Sequence, residues 1–153
     1  MKKVLLAVDD TLGSNTALKT FLDLFSSARP ETVILLHVER FGGKSVLHDR
    51  ISDTDISVLL ESLQGTELKE ILDKKAEEIL ECYKKPLEEK GVTGIKTVIK
   101  AGHPAEEILK TAKEEGADMI IIGSRGKRMH TVLLGSVSRE VANSADIPVL
   151  IAR

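Results

Sequence analysis

The chain has 153 residues, of which 42% are hydrophobic and 30% charged, and its formal net charge is −2. These values predict one folded domain over residues 1–153 without a membrane span, since no apolar stretch approaches the roughly 20 residues that a bilayer requires. The slight negative charge and the scarcity of aromatic residues argue against nucleic acid as a partner, and the single cysteine, Cys82, which excludes an internal disulfide, favours a cytoplasmic protein.

The first predicted elements are a buried strand and a helix. Residues 4–8 form a continuous apolar run that ends at Asp9, as expected of a strand covered on both faces. A turn containing Gly13 follows, and Ser14 or Asn15 is expected to cap the helix, because short polar side chains can accept hydrogen bonds from the first helical N–H groups. Asp9 is therefore expected at the carboxyl end of the first strand.

A second strand, a long connection and the longest helix are predicted in the middle of the chain. Residues 32–38 are apolar and rich in β-branched side chains, which is typical of a buried strand. Residues 41–65 lack a sustained period, apart from a short helical pattern at 56–63, and a connection of this length is often functional. From 67 to 90 apolar residues recur at helical spacing, and Pro86 is expected to bend that helix.

The last third of the chain predicts three strands and two helices. The third strand alternates apolar and polar residues, as an edge strand does, whereas the fourth and fifth are short apolar runs. Proline at the start and glycine at the end delimit the helix that follows the third strand. In chain order these elements are the strand 95–100, the helix 104–116, the strand 119–122, the helix around 137–145 and the strand 147–151.

The alternation of strands and helices predicts the fold class. Apolar strands that alternate with helices indicate an α/β protein with a mostly parallel sheet covered by helices on both faces. In such open sheets, ligands bind at the carboxyl ends of strands, where the strand order reverses. The strand ends after Val8 and Ile122 are therefore the predicted positions of a binding site.

A glycine-rich loop between the fourth strand and the last helix carries the clearest chemical signal. Glycines allow the backbone to approach an anion, and a helix start supplies N–H groups that lack acceptors. Basic side chains and serine hydroxyls in the same segment favour a phosphate. Alternatively, the glycines only make turns and Ser136 only caps the helix. The loop lacks the Walker pattern, and the turn after the first strand lacks the dinucleotide glycine pattern. The residues concerned are Gly123, Arg125, Gly126, Lys127, Arg128, Gly135, Ser136 and Ser138.

The arrangement of these glycines resembles that of a known family. Gly123 and Gly126 form a Gly-x-x-Gly pair, and Gly135-Ser136 follows after a spacer one residue shorter than usual in that family. Together with the flanking strands, this pattern makes the chain similar to the adenine-nucleotide-binding branch of the universal stress proteins. The resemblance implies a three-layer, Rossmann-like open sheet of five mainly parallel strands in the order 3-2-1-4-5.

The resemblance also implies a ligand, a set of contacts and an assembly. The ligand would be ATP or AMP, with Mg²⁺ on the phosphates as an option. Asp9 would hold the ribose, the backbone of Val38 would meet the adenine, and the glycine loop would hold the phosphates. A homodimer through the C-terminal strand is expected, because an apolar sheet edge must be covered. The implied contact residues are Ala7, Val8, Asp9, Val38, Ile122, Gly123, Arg125, Gly126, Gly135, Ser136, Val137 and Ser138.

Other interpretations remain open at the level of sequence. Asp9 could instead cap a turn or bind a metal ion. A slow Mg²⁺-dependent ATPase or phosphotransferase is one alternative function, and a stress interaction protein that acts through residues 41–66 without nucleotide is another. His130 and Ser136 could form a base and nucleophile, but the sequence places no acid beside them. We therefore predict no catalytic residue and no metal ligand, and favour a nucleotide-responsive regulatory module that works in the stress response.

Overall fold

The computed structural model describes residues 1–40, 67–124 and 134–153. The helical pattern at 56–63 and the predicted site residues Arg125 and Gly126 lie outside these ranges. Within them, strands and helices alternate as predicted. The elements are β1 (Lys3–Ala7), α1 (Leu12–Leu24), β2 (Thr32–Glu39), α2 (Glu67–Glu89), β3 (Ile95–Ala101), α3 (Pro104–Glu115), β4 (Met119–Gly123), α4 (Ser136–Ser144) and β5 (Val149–Ala152).

The strands form one parallel sheet with β1 at its centre. The strand order is β3-β2-β1-β4-β5, and each neighbouring pair is parallel. The register places Val4 of β1 beside Val33 of β2 on one side and beside Met119 of β4 on the other. The expected fold class and strand order are thus confirmed, and the reversal of strand order falls between β1 and β4.

Helices cover both faces of this sheet and create two apolar cores. Because successive side chains of a strand point to opposite faces, Val4 and Leu6 pack towards α1 and α2, whereas Leu5 and Ala7 pack towards α3 and α4. Phe21 of α1 is fully buried in the first core. Burial of one such side chain stabilises the fold by about 1.5–3 kcal/mol, so the continuous apolar strands favour this layered arrangement.

The start of α1 differs from the prediction. The helix begins at Leu12, with Thr11 at the N-cap position, so Gly13, Ser14 and Asn15 lie inside its first turn rather than before it. The hydroxyl group of Ser14 is hydrogen-bonded to Asp9 and does not cap the helix. The carboxylate of Asp9, two residues before the N-cap residue, binds this hydroxyl group instead, and the spacing of polar residues alone could not reveal that competition.

Two other helix ends are set by glycine, one as predicted and one not. Gly116 terminates α3 in the left-handed conformation, with φ 63° and ψ 45°, as expected of a C-terminal glycine. At α4, however, Gly135 occupies the N-cap position and Ser136 is the first helical residue. The alternative that Ser136 caps this helix is therefore wrong.

Helix α2 is the longest helix among the described elements and packs along β2 and β3. Its buried residues Ala76, Leu80, Tyr83 and Leu87 recur at helical spacing and form one face against the sheet. Pro86 lies inside the helix, as predicted. In the portions of the chain that the structure describes, no helix combines the length and the apolar character needed to cross a bilayer.

Candidate functional site

The candidate site lies at the carboxyl edge of the sheet, where β1 and β4 are neighbours. Three segments meet at this edge: the turn from β1 into α1, the last residues of β2, and the passage from β4 into α4. The connections of β1 and β4 lead into helices on opposite faces of the sheet, the arrangement in which open α/β sheets bind ligands. Ala7, Val8 and Ile122, all predicted contact residues, are buried at the ends of β1 and β4.

The turn after β1 is organised around the carboxylate of Asp9. Its Oδ1 atom accepts hydrogen bonds from the backbone N–H of Thr11 (2.9 Å), from the Ser14 hydroxyl (2.8 Å) and from the Thr11 hydroxyl. The Ser14 hydroxyl in turn accepts the backbone N–H of Asp9 at 2.9 Å. Oδ1 therefore caps the turn, one of the roles open to Asp9 at the level of sequence.

A tyrosine from α2 fixes the same residue from the other side. The Tyr83 hydroxyl donates to the carbonyl oxygen of Asp9 at 3.0 Å. Burial of the phenol, followed by the negative charge of Asp9, raises the pKa of Tyr83 to about 12. The phenol consequently stays protonated at neutral pH and remains a donor to the turn.

At the end of β2, backbone groups extend beyond the ladder that joins β2 to β1. The Leu36 carbonyl oxygen accepts from the N–H of Val8 at 2.9 Å, and alternate residues of a strand direct their N–H and C=O groups to the same neighbour. The N–H and C=O groups of Val38 therefore point towards β1. They lie beyond the Ala7–Leu36 pair, at which the β1–β2 ladder ends. Nδ1 of the buried His37 donates to the Val8 carbonyl oxygen (2.9 Å), so this ring occupies the acceptor that the Val38 N–H would otherwise use.

The residue after Val38, Glu39, is a buried acid of which only one carboxylate oxygen has a partner among the described residues. The Glu39 side chain is only 2% exposed, and its Oε2 lies 3.1 Å from Nζ of Lys69, which is also 2.6 Å from Asp73. Among the described residues, no group donates a hydrogen bond to the buried Oε1. Burial raises the pKa of Glu39 above its ordinary value, with Lys69 opposing that shift.

The passage from β4 into α4 depends on a close approach of two backbones. A Cβ atom added to Gly123 would lie 2.4 Å from both the carbonyl carbon and the carbonyl oxygen of Gly13, in the first turn of α1. Beyond this contact, Ser124 is buried, and its carbonyl oxygen accepts from the Gly135 N–H at 2.8 Å. This bond brings the beginning of α4 to the end of β4.

The first turn of α4 leaves three backbone donors without helical acceptors. The first hydrogen bond of this helix runs from the Arg139 N–H to the Gly135 carbonyl oxygen at 3.0 Å. The N–H groups of Ser136, Val137 and Ser138 precede it and have no acceptor within the helix. The Ser138 hydroxyl is buried and donates towards the carbonyl oxygens of Gly135 (3.0 Å) and Ser124 (3.3 Å). The Ser138 hydroxyl thus bonds residues on both sides of the connection from β4 to α4, while its backbone N–H has no acceptor within the helix.

Several residues of this site were not predicted as contributors. The Asp-x-Thr spacing of Asp9 and Thr11 is a known turn signal that would have identified Thr11. Tyr83 is 74 residues from its partner Asp9, and His37 is 29 residues from its partner Val8. No local sequence pattern predicts contacts over such separations. As for metal binding, the described ranges contain no group of three His, Cys, Asp or Glu side chains placed to hold an ion.

Comparison with known proteins agrees with this architecture. Residues 1–153 match the model of the Universal stress protein family. The chain is 36% identical to the universal stress protein MJ0577 of Methanocaldococcus jannaschii, with 99% of this chain and 94% of that protein covered. It is also 36% identical to the universal stress protein YxiE of Bacillus subtilis, with 99% and 98% covered.

Solved structures show the same fold. The structure of MJ0577 matches with a TM-score of 0.75 at 35% identity, covering 99% of this chain and 94% of that one. A universal stress family protein of Arabidopsis thaliana with AMP bound matches with a TM-score of 0.67 at 23% identity, covering 99% and 91%. Because the family model spans all 153 residues and two relatives align over nearly the whole length, this chain belongs to the universal stress protein family.

Proposed function

We propose that this universal stress protein binds an adenine nucleotide, ATP or AMP, at the carboxyl edge between β1 and β4, and acts as a nucleotide-responsive regulatory module. One observation carries the proposal. The same edge holds a carboxylate at Asp9, a backbone donor and acceptor outside the ladder at Val38, and three N–H groups at the start of α4. A universal stress family protein of Arabidopsis thaliana with AMP bound has the same fold, which supports an adenine nucleotide as the ligand.

Each group suits a different part of the nucleotide. A carboxylate oxygen accepts hydrogen bonds from ribose hydroxyl groups, and the N–H and C=O groups of one residue can pair with the acceptor and donor on the edge of adenine. The N–H groups of Ser136, Val137 and Ser138 lie at the positive end of a helix, which favours phosphate oxygens. In the proposed complex, Gly123, Arg125, Gly126 and Gly135 complete the phosphate loop, and Mg²⁺ can accompany the phosphates.

The proposal is tested by identifying a bound nucleotide and measuring its affinity. We expect purified protein to release ATP or AMP on denaturation, and the emptied protein to bind both in calorimetric titrations. Asp9→Asn should weaken binding about tenfold or more, since it removes a hydrogen bond to a charged group. Asp10→Asn is the matched control, because it removes the same charge from the neighbouring residue and should leave the affinity nearly unchanged.

The opposite result would reject the nucleotide site. If no nucleotide is released and no heat is detected at millimolar ATP or AMP, the interaction protein without nucleotide becomes the better hypothesis. Measuring phosphate release during the ATP titration separates binding from slow hydrolysis, which would instead favour the ATPase alternative.

The assembly that we propose is a homodimer through β5. This strand lies at one edge of the sheet, and its residues Val149, Leu150 and Ile151 are only partly buried. An exposed apolar edge strand favours pairing with another strand. We expect light scattering to give twice the monomer mass, and Leu150→Lys to shift the protein towards the monomer. A wild-type protein that stays monomeric at high concentration would exclude this interface.

A further inference from the structure

Among the described residues, every hydrogen-bonding atom of Asp9 except one has a partner. Its backbone N–H is bound by the Ser14 hydroxyl, its carbonyl oxygen by the Tyr83 hydroxyl, and its Oδ1 by three donors from Thr11 and Ser14. Within the residues that the structure describes, Oδ2 has no such donor. A carboxylate that is free to rotate could offer either oxygen, but here the two oxygens are distinguished before any ligand arrives.

We infer that Thr11 and Ser14 are positioning residues that restrict Asp9 to a single-oxygen contact with the ligand, through Oδ2. The inference rests on the proposed function, in which Asp9 meets the ribose. It predicts that the two vicinal hydroxyl groups of the ribose contribute unequally to the binding affinity. One hydroxyl donates to Oδ2 and provides most of the contribution, while the other provides little.

The burial of the two hydroxyl groups supports this role. Thr11 and Ser14 are 7% and 5% exposed, and a buried hydroxyl without a partner destabilises a protein. Both hydroxyl groups satisfy this requirement with Asp9. The Ser14 oxygen already accepts the Asp9 N–H, so its own proton is directed to Oδ1. The arrangement of donors therefore leaves one orientation for the carboxylate.

Neither hydroxyl group caps the start of α1, although both residues lie at that helix end. Thr11 is the N-cap residue of α1, yet its side chain makes no cap hydrogen bond to the helix. A hydroxyl at this position ordinarily accepts an N–H group of the first turn and stabilises the helix. Here the hydroxyl serves the carboxylate instead. A local rule of this kind is most often broken where a functional group must be held in place.

The test compares ATP with its 2′-deoxy and 3′-deoxy analogues by calorimetry. For the wild-type protein we expect one analogue to bind about tenfold more weakly than ATP and the other to bind within about twofold. Thr11→Val keeps the shape of the side chain but removes its hydroxyl. It should therefore lower the affinity for ATP and make the affinities for the two deoxy analogues nearly equal. Thr11→Ser retains the hydroxyl and should retain the unequal pattern.

A double-mutant cycle shows whether Thr11 acts through Asp9. In an Asp9→Asn protein the amide oxygen would accept the three donors at the Oδ1 position, and the NH₂ group would replace Oδ2. Thr11→Val should then weaken ATP binding no further, because the acceptor that Thr11 positions is already lost. An equal further loss in that background would mean that Thr11 acts independently, and would overturn the inference.

Tyr83 provides a check that each variant keeps the turn. It is the only tyrosine and the chain has no tryptophan, so tyrosinate absorbance reports this one residue. The pKa of about 12 should persist in Thr11→Val and fall in Asp9→Asn, where a neighbouring negative charge is removed. A Thr11→Val protein whose titration falls towards 10 has lost the turn, and Ser14→Ala then makes the same comparison.

The outcomes separate this inference from the proposed function. If ATP binds but both deoxy analogues lose affinity equally in the wild-type protein, the single-oxygen contact is wrong and nucleotide binding stands. If ATP does not bind at all, the proposed function fails and this inference fails with it. Unequal analogues in the wild type that become equal in Thr11→Val, but not in Thr11→Ser, support it.

Discussion

Gly123→Ala is expected to destabilise the protein by about 3 kcal/mol or more, even without nucleotide. The added Cβ atom would lie 2.4 Å from the carbonyl carbon and oxygen of Gly13 and 2.8 Å from its Cα atom. These are backbone atoms in the first turn of α1, so the clash cannot be relieved by rotating a side chain. Urea denaturation of the emptied protein measures the loss directly.

Two other glycines serve as controls for this prediction. Gly135 has φ −60° and ψ 155°, which any residue can adopt, and it is an N-cap residue, where serine is preferred. Gly135→Ser should therefore change the free energy of unfolding by only about 0.5 kcal/mol, while weakening ATP binding. Gly116→Ala introduces strain at φ 63° but meets no atom within 4 Å, so it should cost about 1 kcal/mol. If Gly123→Ala is as stable as the wild type, the close approach of α1 and β4 is not required.

The comparison would divide one sequence motif into two physical roles. Gly123 allows α1 and β4 to approach, whereas Gly135 directly precedes the helix whose first N–H groups we propose as phosphate donors. A Gly123 variant that loses both stability and nucleotide binding would show that scaffold damage contributes to the loss, whereas a Gly135 variant that keeps its stability but loses binding would place the effect at the site.

Lys69→Met is expected to destabilise the protein by about 2–3 kcal/mol at neutral pH. The substitution leaves the Glu39 carboxylate, which is 2% exposed, without its positive partner in the interior. Removing one member of a buried ion pair is more damaging than removing both, because the remaining charge has lost its hydration as well. Glu39→Gln should accordingly rescue most of the loss in the double variant.

The pH dependence of this variant follows from the pKa of Glu39. Because that pKa is raised in the folded protein, the folded state binds the proton more tightly than the unfolded chain, and the free energy of unfolding falls as pH rises above 4.5. Lys69→Met should raise the pKa further, so its deficit should be largest at neutral pH and shrink on acidification. Lys75→Met is the control, since the Lys75–Asp10 pair is exposed and is worth at most about 1 kcal/mol. Equal losses in the two variants at every pH would contradict this account.

The layered fold was predictable because its signal is repeated along the chain. Each of the central strands is a short apolar run that suits burial on both faces, and residues 4–8 and 32–38 needed no information from elsewhere in the chain to be recognised. The beginning of α1 was not predictable in the same way. Ser14 has the chemistry of a helix cap, and only its position relative to Asp9 in space shows that the hydroxyl has another partner.

The site was partly predictable for a related reason. Asp9, Val38 and the residues from Gly135 to Ser138 lie at strand or helix ends that the sequence marks clearly. The structural role of Gly123 could not be separated from a phosphate role, because both require the absence of a side chain. Contacts such as Tyr83 to Asp9 depend on how distant elements pack, and a single sequence carries no record of them.

The central position of β1 also has a consequence for how the protein folds during synthesis. Strand β1 is synthesised before both of its neighbours, and the second of them is β4; the carboxylate of Asp118 accepts the N–H of Lys3 from 115 residues further along the chain. While the ribosome is still producing residues before Met119, β1 can pair with β2 but keeps its other edge open. Contacts over such separations form slowly, and an open apolar edge invites pairing with other chains. The nascent protein is therefore most prone to aggregation shortly before its fourth strand emerges.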